Sequence, residues 1–404
     1  MDKIFLGRQP IYDQGMRVRA YELLYRAGPD ATAGSFDGDR ATSSVIVNTL
    51  TELGLDTVLG NKRGYINLTE RFLLGQAPIP FPPERVTLEI LETVRITDEI
   101  IAAVRGLKER GFEIAVDDYI GGEDHDPLLA VADVIKIDLM AMDRSRLPEI
   151  VADLKQRGLK LVAEKVETQG DFDLCQELGF DMFQGYFLCR PKILDAQRIP
   201  GNRLAIMQLL ARLQNPDAEL DELVELISQN VTLSYKVLRY VNSAYLGLGR
   251  RIDSIRQAVM MLGQNTIRSL AALMTLSEIY DKPDELIRLS MIRARMSELL
   301  AKQVSGLEPN KAFTVGLFST LDALLDAPMQ TLMDTLPLAD DVRQALIAQT
   351  GPAGELLQTV ISYERGDWES AAARRFDTAV QTEAYFAALN WADTLFAEVA
   401  GPTS

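Results

Sequence analysis

Histidine is almost absent from this 404-residue chain, which carries one, His125. Zinc sites built from several imidazoles, Ser-His-Asp triads in the second half, and His-Asp phosphohydrolase sites all need more, so those chemistries are excluded. Cysteine is nearly as scarce. Cys175 and Cys189 form neither a disulfide framework nor a metal knuckle, and are expected to be reduced, buried thiols. No segment reaches eighteen consecutive apolar residues, and the opening Met1-Asp2-Lys3-Ile4-Phe5-Leu6-Gly7-Arg8 lacks the apolar stretch of an export signal. The expectation is a cytoplasmic protein without a membrane partner. Basic residues are outnumbered 42 to 58, giving a net charge of −16 that would repel a phosphate backbone, so duplex DNA binding is not expected. A small anion remains an admissible ligand where metal ions or a local arginine offset that field.

What is present is ordinary globular composition, 47% apolar and 25% charged, in a chain long enough for two domains. Short β-rich runs occur at Val18 to Tyr25, Gly64 to Leu68, Arg85 to Leu91, Glu113 to Val116, Val134 to Ile137, Leu159 to Ala163 and Met182 to Phe187. Helix-like stretches separate them: Ala41 to Leu53, Asp98 to Arg110, Arg146 to Arg157 and Gln169 to Leu178. This alternation predicts a parallel sheet, and so many units in about two hundred residues favour closure into an α/β TIM-like barrel. The β-rich runs cease near Pro191 to Asn202. The chain is therefore divided into a barrel over 1–195, a linker over 196–202 and an all-α domain over 203–404. Asp253-Ser254 and Pro283-Asp284 are expected helix starts there, and Gly263, Gly306 and Gly366 expected breaks.

Each β-rich run, read to its C-terminal end, delivers a polar group: Glu22, Asn67, Glu89 with Glu92, Asp117-Asp118, Lys136 with Asp138, Glu164 with Glu167, and Gln184. A barrel gathers such ends at one face, where catalytic groups sit. Any single one of them could be a solvated residue or a helix cap, and Lys136 and Asp138 could satisfy one another. Together they are an oxygen-rich cluster whose mutual repulsion calls for cations such as Mg²⁺ or Mn²⁺.

Glu22-Leu23-Leu24-Tyr25-Arg26 resembles the ExLxR signature of EAL cyclic di-GMP phosphodiesterases. Similar too are Ile66-Asn67-Leu68-Thr69, Glu89-Ile90-Leu91-Glu92, Asp117-Asp118-Tyr119, Lys136-Ile137-Asp138, Ala163-Glu164-Lys165-Val166-Glu167-Thr168, and Gln184-Gly185-Tyr186 with Pro191. The resemblance implies that Glu22, Asn67, Glu89 and Asp117 hold one metal, with Asp117 and Asp118 facing a second. Glu164 would be the general base or help hold the attacking water, and Lys136 would orient the hydroxide. Arg26 would contact a phosphate and Gln184 support the substrate site, with Glu92, Asp138 and Glu167 in supporting places. Paired cations of this kind suit in-line hydrolysis of a phosphodiester.

Three departures stand out. Tyr119-Ile120-Gly121-Gly122-Glu123-Asp124-His125-Asp126-Pro127 replaces a longer loop that, in the family, couples homodimerisation to metal placement. Lys165 stands where a glycine is usual, beside Glu164, and Leu91 replaces a threonine. The second half resembles the HDOD domain through Asn242-Ser243-Ala244, the run Ile252 to Ala258 leading to Leu262-Gly263, and Tyr363-Glu364-Arg365-Gly366-Asp367-Trp368. Where metal-binding HD relatives show GLLHDIG, this chain reads Gly316-Leu317-Phe318-Ser319-Thr320-Leu321-Asp322, which implies a non-catalytic domain that docks a protein partner. Asn242 reads as a helix-end cap, Met260, Met261 and Met274 as core, and Trp368 and Trp391 as packing anchors. Two readings remain: a metal-dependent phosphodiesterase linearising cyclic di-GMP, and a catalytically silent cyclic di-GMP receptor or protein–protein interaction adaptor.

Overall fold

The computed structural model describes residues 4–27, 54–91, 93–120, 126–186 and 201–400, the last without 216–217, 243–251, 278, 280–281, 337, 368–369 and 372–375. The expected helix over 41–53, Glu92, His125, Cys189, Pro191 and Trp368 lie outside the described residues, as does the side chain of Arg26. Two compact units emerge: Met1–Leu188 with Ser362–Thr382, and Cys189–Ile361 with Glu383–Ser404.

The first unit holds a closed barrel of β1 (Ile4–Asp13), β2 (Val18–Ala27), β3 (Arg63–Leu68), β4 (Val86–Ile90), β5 (Glu113–Val116), β6 (Val134–Asp138), β7 (Lys160–Glu164) and β8 (Met182–Phe183). Strands β2 to β8 run parallel. Around them come α1 (Leu55–Leu59), α2 (Glu70–Leu73), α3 (Asp98–Glu109), α4 (Asp126–Leu129), α5 (Leu147–Gln156) and α6 (Gln169–Leu178). Every residue of β4 and β6 is buried, as a strand with both faces covered requires.

Sequence reading missed β1. Gly7, Arg8, Gln9 and Pro10 interrupt its apolar alternation, and only pairing rescues it. It lies antiparallel to both β2 and β8 and closes the barrel. A turn held by Asp13, whose Oδ1 accepts from Gly15 N at 2.9 Å and Arg17 N at 3.0 Å, joins it to β2.

Side chains inside the barrel form layers, because successive residues of a strand point to opposite faces. Ile11, Ala20, Tyr65, Ala115, Val134 and Val162 form one buried cluster, with Met182 packed against it. All but Ile11 stand two positions before Glu22, Asn67, Asp117, Lys136, Glu164 and Gln184, so the polar residues share their face one layer higher. Two positions further back lies a polar ring, where Lys160 Nζ reaches Glu113 Oε1 at 2.8 Å and Thr87 Oγ1 donates to Glu113 Oε2 at 2.7 Å. The apolar layer thus floors the upper cluster.

Helices follow their sequence signals. Thr168 caps α6 reciprocally with Asp171, and Thr97 caps α3 by accepting from Ile100 N. Cys175 is fully buried, and burial pushes its thiol up to about 12. No helix among the described residues is long and apolar enough to cross a membrane. Within the same unit, Tyr186 Oη donates to Glu364 O at 3.4 Å and the Arg365 guanidinium lies 5.0 Å from the Tyr186 ring centre. Sequence periodicity carries no sign of that return.

Among the described residues of 201–400 the regular elements are helices: α7 (Gly201–Leu213), α8 (Leu220–Gln229), α9 (Val231–Val241), α10 (Ile255–Leu262), α11 (Gln264–Leu276), α12 (Asp284–Ala301), α13 (Pro309–Phe318), α14 (Leu321–Leu325), α15 (Met329–Thr335), α16 (Asp340–Ile347), α17 (Gly351–Glu364) and α18 (Thr378–Ala400). Ser254 caps α10, Pro283 precedes α12, and Gly263, at φ 83°, separates α10 from α11. Asn242 ends α9 and clamps the chain beyond it: its Nδ2 donates to Ile252 O and its Oδ1 accepts from Ile252 N, both at 2.7 Å. Trp391 packs edge-on against Phe313. Met274 is core, but Met260 is 67% exposed and Met261 39%, contrary to the sequence expectation. The apolar stripe of α10 is narrower than its composition, and Ile255, Ala258 and Val259 fill it.

Gly316 lets α12 and α13 touch. A Cβ there would lie 2.5 Å from Arg293 O. Gly316→Ala is therefore expected to cost about 1–3 kcal/mol through forced separation of the two helices, read as a lowered urea midpoint.

Candidate active site

The rim polar groups are fixed by strand register. Gln9 pairs with Glu22, Asn67 with Glu89, and Asp138 with Glu164, while Asp117 extends β5 by donating its N–H to Ile90 O at 3.1 Å. Closure brings them around one cation. Lys136 Nζ lies 2.8 Å from Glu89 Oε1, 2.9 Å from Glu164 Oε1, 3.0 Å from Asp117 Oδ1 and 3.2 Å from Glu22 Oε2. Glu89 and Lys136 are fully buried. Glu22 also accepts from Asn67 Nδ2 at 3.3 Å and from Gln184 Nε2 at 2.7 Å, and the same Gln184 amide donates to Gln9 Oε1 at 2.9 Å. Gln9, carried by the unrecognised β1, is the member that sequence reading omitted. Only its register opposite Glu22 signals it.

Electrostatics follow from four carboxylates sharing one ammonium. Burial disfavours the charged form of Lys136, yet Glu164, Glu22, Glu89 and Asp117 together hold it well above the usual lysine range. Burial raises Glu89 well above an ordinary carboxyl, with the charge of Glu22 adding and Lys136 opposing. Burial also pushes Glu164 up to about 8, against Lys136 and reinforced by Asp117 and Glu22.

The residue set fits a hard divalent cation. Asp117, Asp118 and Glu164 each offer a carboxylate oxygen within 4.8 Å of the others. Glu89 Oε2 is buried with no hydrogen-bond partner among the described residues, and so is Gln184 Oε1. All these donors are oxygen, as Mg²⁺ or Mn²⁺ prefers. The ammonium of Lys136, not a hydroxide-side position alone, spans the four carboxylates.

The remaining expected residues divide. Asp138 does not pair with Lys136. It accepts from Met140 N at 2.7 Å and Ala141 N at 3.3 Å, and it binds the ammonium of Lys165. Glu167 is half-buried just before the cap of α6. Gly185 is indispensable to the floor, because a Cβ there would meet Val166 O at 2.1 Å. Val166 N donates to Gln184 O at 3.0 Å, tying the segment after Glu164 to the one after β8.

The EAL domain model matches residues 59–191 and the HDOD domain model residues 199–331. Cyclic di-GMP phosphodiesterase CdgJ of Vibrio cholerae is 36% identical over 370 residues, covering 90% of this chain and 86% of that protein. The protein YuxH of Bacillus subtilis is 32% identical over 97% of this chain and 99% of its own length. A solved EAL domain protein from Listeria monocytogenes is 22% identical over 46% of this chain and 87% of that chain, at a TM-score of 0.36. Both domain models on one chain, and matches to CdgJ and YuxH over at least 86% of each protein's length, make this chain a member of the EAL-HDOD family.

Two outcomes are expected of this cluster. Lys136→Met leaves buried Glu22, Glu89 and Glu164 and half-buried Asp117 without their cation and should destabilise the chelator-treated protein by about 3–5 kcal/mol in urea melts. Glu164 has a folded value near 8 against an ordinary 4.5, so it takes up a proton on folding between those pH values. Its ionisation opposes folding fully above pH 8 and not at all below 4.5. Wild-type stability relative to Glu164→Gln, without divalent ions, should therefore fall as pH rises across that window, by at most about 1.4 kcal/mol per pH unit.

Proposed function

We propose that this protein hydrolyses cyclic di-GMP to linear pGpG with Mg²⁺ or Mn²⁺ and signals through a non-catalytic HDOD half. The observation that carries this reading is the cluster of Asp117, Asp118 and Glu164 oxygens, lying on the rim that also holds Glu22, Asn67, Glu89 and Lys136. The relative named as a cyclic di-GMP phosphodiesterase supports it over nearly the whole chain.

Glu22, Asn67, Glu89 and Asp117 would hold one divalent ion, and Asp117, Asp118 and Glu164 would face a second. Bound there, such ions lower the pKa of water and offset charge on the phosphodiester. The chain's own residues do the rest. In its ionised form Glu164 would accept the proton of the attacking water, whose oxygen adds to phosphorus as one P–O ester bond breaks and the leaving ribose oxygen takes up a proton from solvent. Lys136 stays protonated and keeps the surrounding carboxylates at fixed distances. Gln184 orients Glu22 through its amide. Arg26 is assigned to a phosphate and Glu92 to a supporting place on the strength of the motifs alone.

The same reading places the protein in the cytoplasm, where cyclic di-GMP is a signal, gives residues 203–404 a protein partner, and allows a homodimer through the barrel. The charge of −16 argues against duplex DNA as that partner.

Purified full-length protein with Mn²⁺ or Mg²⁺ should yield linear dinucleotide, and Glu164→Gln and Asp117→Asn should each lower kcat at least about 100-fold. Millimolar Mg²⁺ should raise the melting temperature, since the ions bind the folded rim preferentially. Nucleotide binding by calorimetry without any turnover would select the receptor reading instead.

A further inference from the structure

Lys165 follows the last residue of β7 with φ 52°, in the left-handed region that glycine tolerates and lysine does not favour. Holding a residue with a Cβ there costs about 1–2 kcal/mol. Its partner is Asp138, bound by the ammonium. That pair is part-buried, since the lysine side chain is 55% exposed but its carboxylate is not. Met140 N and Ala141 N both donate to Oδ1, and the ammonium takes Oδ2. The salt bridge acts as an anchor. It fixes one end of the ammonium against a buried carboxylate, 5% exposed, and leaves the rest open at the barrel mouth.

The neighbourhood is otherwise anionic. Asp138, Asp118 and Glu164 all act electrostatically on Lys165. Lys136, a second cation at this rim, is 1% exposed and committed to four carboxylates. A phosphodiester approaching this mouth meets a surplus of negative charge, and the ammonium of Lys165, on the residue after Glu164 and with its side chain 55% exposed, is a cation placed to offset it. We propose that Lys165 is a substrate-binding residue whose ammonium, held by Asp138 beside Glu164, donates to a non-bridging oxygen of the phosphodiester. This rests on the cyclic di-GMP reading above and adds to it the cation that receives the substrate's charge.

The test compares full-length wild type with Lys165→Gly, Lys165→Gln and Lys165→Arg, using cyclic di-GMP and Mn²⁺, with Lys155→Gln as a charge-matched control. Lys155 pairs with Asp181, away from the rim. Lys165→Gly and Lys165→Gln should raise KM about ten- to hundredfold, the span of one hydrogen bond to a charged group, with kcat within about threefold of wild type. Lys165→Arg should restore most of the affinity. The dependence of KM on KCl should weaken in the two neutral variants. An unchanged KM in both neutral variants, or a loss confined to kcat, overturns the assignment while leaving the phosphodiesterase reading intact. If wild type binds without turnover, the same comparison is made on the calorimetric Kd, with the same expected ratio and the same overturning result. Wild type that neither binds nor hydrolyses overturns both.

Discussion

One buried ammonium shared by four carboxylates organises the upper end of the barrel. At contacts of 2.8–3.2 Å, Lys136 is the only positive charge that Glu22, Glu89, Asp117 and Glu164 all touch among the described residues. Taking such charges out of water costs several kcal/mol per ion, and only close pairing repays it. With one cation against four anions the pairing is incomplete, so burial and mutual repulsion raise Glu89 and Glu164 together. The cluster is thus short of positive charge by construction. That shortage is what the proposed divalent ions would relieve.

The shortage is sustained by the layer beneath. Ala20, Tyr65, Ala115, Val134 and Val162 exclude water from below, each two residues ahead of a rim group on its own strand. The period of the strand therefore couples the apolar floor to the polar rim: a register slip of one residue would bury one set and lose the other. Gly185 and Val166 complete the enclosure by bringing two post-strand segments into backbone contact where no Cβ fits.

The rim's outer edge carries the second balance. Asp138 lies two residues from Lys136 on β6, but it binds Lys165, in the segment after β7. Both lysines come from positions near a strand end, and sequence spacing treats them alike. Burial separates them. Lys136, inside the barrel, offsets part of the cluster's charge, whereas Lys165, on a left-handed residue outside it, keeps an exposed charge at the entrance.

Much was legible without coordinates. Seven strands announced themselves through β-branched runs ending in polar residues, and the helices at 98–109, 147–156 and 169–178 as the helix-like stretches between them. Their order predicted a barrel and its rim, because side-chain alternation and parallel connections are local rules. What the amino-acid order alone left open depended on closure. β1 has no clean alternation and exists because two edges need a partner, Gln9 joins the site only through that strand, and the exposure of Met260 reflects which face of α10 found a neighbour. The choice of Lys136 rather than a solvent-facing cation as the centre of the cluster was likewise tertiary. Propensity and spacing fix which way a side chain leaves its own strand, but distances between strands far apart in the chain exist only once the sheet has closed on itself.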